Sequence, residues 1–148
     1  MSESRFVYVI YIRTTPARLW SALTDPDFVR QYWFGMHHET DWQPGSAWRL
    51  MHPDGRVLDA GRVLEADPPN RLVLSWRHHM RPELADEGEA NCVITLEPAG
   101  NAVKLSITHT INVANSKVIE AVSGGWPKIL SNLKSLLETG TVLLPPRY

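Results

Sequence analysis

Cys92 is the only cysteine in this 148-residue chain. An internal disulfide and a cysteine-rich metal site are both excluded, and a reducing cytoplasm is the simplest expected home. An excess of positive charge is missing as well. Fifteen Lys and Arg against sixteen Asp and Glu leave a net charge of −1. Nucleic-acid and membrane-surface binders need a positive excess, so neither nucleic acid nor membrane is an expected partner. No apolar run could cross a bilayer. Residues 6–12 form a strongly apolar run near the start, too short to span and followed by no small-residue cleavage site. There is no H-E-x-x-H motif. His37-His38 and His78-His79 are adjacent pairs, which a strand would point to opposite faces. No metal and no cofactor is therefore expected. A G-x-S-x-G elbow and a phosphate-loop pattern are absent too. Eleven prolines and nine glycines are scattered and never gather into a linker. A single domain over residues 1–148 is expected, of a size that buries about 68–70% of its unfolded surface.

What is present reads as alternating strands closed by a helix. Residues 6–12 are aromatic and β-branched on both faces, which predicts a strand covered on both sides or one with a covered end. Thr15-Pro16 and Asp25-Pro26 each combine a cap with a proline suited to a first helical turn, and predict two short helices. Pro44-Gly45, Pro53-Asp54-Gly55, Asp67-Pro68-Pro69-Asn70 and Pro98-Ala99-Gly100-Asn101 are turn signals that divide the middle of the chain into strands. Residues 80–89 read as a solvated acidic loop holding Asp86 and Glu87. Val103, Leu105, Ile107, His109 and Ile111 alternate with polar neighbours, as in a sheet buried on one side. From Val118 to Leu137 the apolar period becomes helical. Gly124-Gly125 and Pro127 predict a short leading helix before a main one over residues 126–138, and Gly140 a stop.

Three strings carry a family resemblance. They are Thr15-Pro16-Ala17-Arg18-Leu19-Trp20-Ser21-Ala22-Leu23-Thr24-Asp25-Pro26, Pro68-Pro69-Asn70-Arg71-Leu72-Val73-Leu74-Ser75-Trp76, and Gly124-Gly125-Trp126-Pro127 with Leu130, Leu133 and Lys134. The tract from Tyr32-Trp33-Phe34-Gly35 to Pro44-Gly45 fits too. The chain thereby resembles the START-like (SRPBCC, Bet v 1-like) superfamily and, within it, the activator of Hsp90 ATPase family of C-terminal-domain type. The resemblance implies an α+β helix-grip fold. In it a curved antiparallel six-stranded sheet wraps around a long C-terminal helix, with two short helices after the first strand. Such folds include ligand carriers, polyketide cyclases and co-chaperone modules. The co-chaperones that name the family carry a further N-terminal Hsp90-binding domain, for which this chain is expected to leave no room.

The expected site is a cavity between sheet and helix that holds a small hydrophobic or aromatic ligand. Trp33, Trp48, Trp76, His78, His109, Trp126 and Leu130 are its candidate residues. Indole rings stack on flat ligands, although core packing is the plainer fate of any single tryptophan. His52, His78 and His109 share parity with apolar neighbours on their strands, but one bulge reverses such parity. For His52 and His78 the plainer reading is a strand-end histidine bonded to solvent or backbone. The alternative to a binding module is a cyclase- or dehydratase-like enzyme in which His109 acts with Arg49 or Tyr32 as acid and base. A chaperone-docking module or a homodimer would instead need a surface patch away from the cavity. Cys92, among alternating apolar residues, reads as inert.

Overall fold

The computed structural model describes residues 3–145. Its elements run β1 (Ser4–Ile12), α1 (Pro16–Thr24), α2 (Pro26–Tyr32), β2 (His37–Glu39), β3 (Ala47–Met51), β4 (Val57–Asp67), β5 (Arg71–His78), α3 (Pro82–Ala85), β6 (Ala90–Ala99), β7 (Ala102–Ile111) and α4 (Lys117–Thr139). The strands form one antiparallel sheet in the order β1-β7-β6-β5-β4-β3-β2. α4 crosses its inner face and buries Val118, Val122, Trp126, Ile129, Leu130, Leu133, Leu136 and Leu137. This is the α+β helix-grip arrangement, with seven strands where six were expected. The extra strand, β2, pairs with β3 through three residues. A string as short and polar as His37-His38-Glu39 carries no alternation from which a strand could be read.

The caps behave as their residue types require. Thr15 Oγ1 accepts from the Arg18 amide and an Asp25 carboxylate oxygen from the Asp27 amide, each with proline in the first turn. Gly140 closes α4 at φ +87°, its N–H donating to Leu136 O.

Three expectations change. β1 is covered on one side only: Val7, Val9 and Tyr11 are 51%, 44% and 52% exposed on the other. α4 is continuous through Gly124, Gly125 and Pro127. Its apolar stripe extends to both sides of the proline, and tertiary burial outweighs poor helix propensity. The acidic loop contains α3, whose Leu84 is buried. Glu87 is not a solvated carboxylate. It accepts from Ser116 Oγ at 2.5 Å and from the amides of Lys117 and Val118 at 2.8 and 3.2 Å. These are free donors at the start of α4, where a carboxylate also meets the positive end of the helix dipole. Burial pushes Glu87 up, but these hydrogen bonds outweigh it and hold the carboxyl below its ordinary value.

β4 and β5 come close together at Gly61, where an added Cβ would stand 1.9 Å from Ser75 O. Only glycine fits there. Beyond it the register shifts between Val63 and Glu65, so the part of β4 before the shift sets its own alignment with β5.

Glu87→Ala should cost about 1–2 kcal/mol of stability, the usual range for losing a helix cap with charge-assisted bonds. Urea denaturation measures it, and a loss below about 0.3 kcal/mol would show that the loop does not hold the helix start.

Candidate functional site

The register of β4 on β5 places Asp59 directly opposite His78, and that of β3 on β4 places Leu50 opposite Asp59. The row therefore carries an apolar residue, an acid and an imidazole across three strands. α4 passes over it with Ala121, Val122, Gly125, Trp126 and Ile129, and α3 adds Leu84 with Arg81 before it. Between these layers lies a cavity of about 240 Å³, which Trp33 and Trp76 also line.

Its walls are a cluster of indoles. Trp33 and Trp76 lie nearly parallel with ring centres 6.2 Å apart, and Trp126 stands edge-on to both at 5.3 and 5.9 Å. Trp48 packs against Trp76 at 4.4 Å. Two of the indoles are fixed by histidines. Trp126 Nε1–H donates to His109 Nδ1 at 3.2 Å, and Trp48 Nε1–H donates to His38 Nδ1 at 3.0 Å. An imidazole nitrogen that accepts carries no proton, so both histidines are neutral with the proton on Nε2. Burial holds each well below its ordinary value, near 3, and the neighbouring His37 and His78 push His38 and His109 further down.

The polar groups at the cavity are of another kind. Burial raises the Asp59 carboxyl to about 7, although Trp76 Nε1 lies close enough to favour the ionised form slightly. Burial first, and the charge of Arg81 second, lower His78. His78 Nε2 is 3.9 Å from an Asp59 oxygen. Desolvation pushes both groups towards their neutral forms, so the pair is a weak polar contact more than an ion pair. Trp76 Nε1 and His78 Nδ1 are buried and have no hydrogen-bond partner among the described residues; His109 Nε2 has none either.

Of the expected site residues, the structure gathers Trp33, Trp76, His78 and Trp126 on the cavity. Trp48 supports Trp76 from behind, and His109 holds Trp126 in place. Leu130 is fully buried in the core. His52 is carried out of line by the shift between Leu50 and Met51 and turns its Nδ1 to the Asp54 amide. The acid–base set of His109, Arg49 and Tyr32 is not assembled. Arg49 is an exposed ion-pair partner of Glu39. Tyr32 donates its hydroxyl to Ala22 O and is pushed up by burial. Cys92 is buried, which pushes its thiol up. Asp59 and His38 were not among the expected site residues. Asp59 shares parity with Val57, Gly61 and Val63, and an acid on an otherwise inward-facing set was the available signal. Among the described residues no three His, Cys, Asp or Glu side chains gather as a metal site needs, and no helix is long and apolar enough to cross a membrane.

The family model described as activator of Hsp90 ATPase homolog 1-like protein matches residues 13–138. No curated protein matches the chain. Several solved structures share its fold. CalU16 from Micromonospora echinospora superposes with a TM-score of 0.74 at 20% identity, over 90% of this chain and 74% of that one. PFC0360w, an HSP90 activator from Plasmodium falciparum, gives 0.72 at 22% identity, over 90% and 95%. The Aha1 dimer from Colwellia psychrerythraea gives 0.72 at 18% identity, over 93% and 98%. At these identities the likeness shows the fold alone.

The buried titratable groups set a pH dependence. Between about pH 6.5 and pH 3 the unfolded chain takes up protons that folded His38 and His109 refuse, so stability falls as pH drops through that window. Asp59 acts in the opposite sense. Between its ordinary value of 3.8 and about 7 the folded chain keeps a proton that the unfolded chain has released, so this group lowers stability as pH rises. Asp59→Asn should therefore steepen the loss on the acid side and raise stability at pH 8 by about 1–3 kcal/mol. Denaturation curves from pH 4 to pH 8 measure both, and an unchanged profile would mean that Asp59 is solvated.

Proposed function

The chain belongs to the activator of Hsp90 ATPase homolog 1-like family, and from that premise we propose that it binds a small hydrophobic ligand in the cavity between sheet and α4. The observation that carries this reading is an apolar, indole-walled cavity with polar atoms left over. His78 Nδ1 belongs to a side chain that lines it and has no protein partner among the described residues, and Trp76 Nε1 has only the Asp59 carboxyl nearby, outside hydrogen-bond geometry. Each such atom costs about 1–3 kcal/mol when buried and unbonded. Small-molecule sites combine apolar walls with a few such groups. At about 240 Å³ the cavity is below the ~300–1,000 Å³ typical of drug-sized ligands, so it suits a molecule of one or two rings. Trp33, Trp76 and Trp126 supply the ring contacts and His78 a polar anchor. Trp48, His109 and Leu130 hold those walls in place.

A second reading is a protein-docking module. It is favoured by the exposed stripe of Val7, Val9 and Tyr11 on β1, away from the cavity. One structural neighbour is named an HSP90 activator and another is a dimer. That surface would serve a chaperone partner or a second copy of the chain.

Gly125 provides the test of the first reading. It lines the cavity, and an added Cβ there meets no atom within 4 Å. Gly125→Leu should fill the space and reduce binding of a neutral apolar dye such as Nile red at least tenfold. Gly124→Ala, also open at its Cβ but outside the lining, should leave dye binding intact and gain about 0.5–1 kcal/mol of stability. Fluorescence titration reads both. Saturable binding that Gly125→Leu leaves unchanged would place the dye elsewhere and overturn the reading.

A further inference from the structure

Asp59 is the only buried Asp or Glu among the described residues, 7% exposed. It faces the cavity without a cation to compensate it. From β5 the nearest basic atom is His78 Nε2, at 3.9 Å and itself pushed towards the neutral imidazole. Trp76, also on β5, brings only an indole N–H. β3 contributes Leu50, and α4 contributes Ala121, Val122, Gly125, Trp126 and Ile129, none of them charged. Arg81 stands at the α3 side with its side chain 61% exposed and is paired with Glu83 at 3.3 Å. His79 and Glu87 act on His78 with opposite signs, and Glu87 is bound to the start of α4. A carboxylate in this position lacks the partner that a buried charge needs. The indole faces of Trp33, Trp76 and Trp126 carry the negative face of the ring quadrupole, which attracts cations.

We propose that the cavity takes a small hydrophobic organic amine as its ammonium ion, with the ammonium on Asp59 and the apolar body against Trp33, Trp76 and Trp126. This rests on the ligand-binding reading above and adds the ligand's charge. The ammonium supplies the missing countercharge and makes a charge-assisted hydrogen bond in a water-poor site. An anionic ligand would meet Asp59 at close quarters, and a neutral one would leave the carboxylate uncompensated. Binding of the amine should therefore hold Asp59 ionised, and its affinity should weaken about tenfold per pH unit below the carboxyl's titration.

Three compounds of one shape give the test: 2-phenylethylamine, 2-phenylethanol and 3-phenylpropanoate, titrated calorimetrically into the intact chain at pH 5 and pH 8. The amine should bind at least tenfold tighter than the alcohol at pH 8, with the advantage shrinking at pH 5. The carboxylate should bind weakest. Asp59→Asn should bring the amine down to the alcohol while leaving alcohol binding in place. An alcohol or carboxylate that equals the amine at pH 8 overturns the proposal and leaves the binding reading standing. If none of the three binds, and Nile red does not bind either, both fall. If Nile red binds at the cavity while the amine does not, the amine proposal alone is overturned. The comparison of the three compounds on the unaltered chain decides the proposal even if the Asp59→Asn variant does not fold.

Discussion

The hydrogen bond from Trp126 Nε1–H to His109 Nδ1 joins the helix layer to the sheet layer. Nearer the end of α4, Lys134 Nζ donates to Tyr11 O on β1, and the rest of the grip on the sheet is non-directional apolar contact, which tolerates sliding. A directional bond between a rigid indole and an imidazole fixes the contact at the middle of the helix. That position sets Trp126 edge-on to Trp33 and Trp76 and holds the cavity open beside them. The bond works only while His109 stays neutral, because a charged imidazole has no acceptor nitrogen. Burial of His109, near the C-terminal end of β7, secures that state. Trp48 and His38 repeat the device on the β2–β3 side, so two indoles of the same cluster are pinned in the same way.

The chemistry of the cavity depends on the sheet in a different manner. Asp59 and His78 meet because β4 is in register with β5 before the shift near Val63. A slip of β4 by one residue would send Asp59 to the outer face and leave His78 behind. Gly61 helps to prevent that slip: the two backbones approach there more closely than any side chain allows. A backbone constraint thus determines which ionisable groups face the ligand space.

Where a residue's local neighbours decide its fate, the sequence was a good guide. The caps at Thr15 and Asp25, the inward face of β7 and the stop at Gly140 all follow from short-range rules, and all appear as read. Readings failed where distant contacts decide. Gly124-Gly125-Pro127 looks like a helix break, and only the burial on both sides of it keeps α4 whole. Glu87 looks like a surface acid, and only the start of a helix 29 residues further on gives it partners. Trp33, Trp76, His78 and Trp126 were identifiable as residue types suited to a cavity. Asp59 carried only the weak signal of its parity with Val57, Gly61 and Val63, because its pairing with His78 comes from the strand opposite and cannot be read from one strand's alternation.

Asn132 shows where the folding unit ends. Its amide nitrogen donates to Tyr32 O and Leu144 O, and its side-chain oxygen accepts from the amides of Leu143 and Leu144. The family match stops at residue 138, yet the backbone that satisfies this buried amide lies beyond it. A chain trimmed to the match would keep every helix residue facing the sheet and still expose a polar wound inside α4. Residues 143–144, beyond the last helix, are therefore tied to the core by hydrogen bonding.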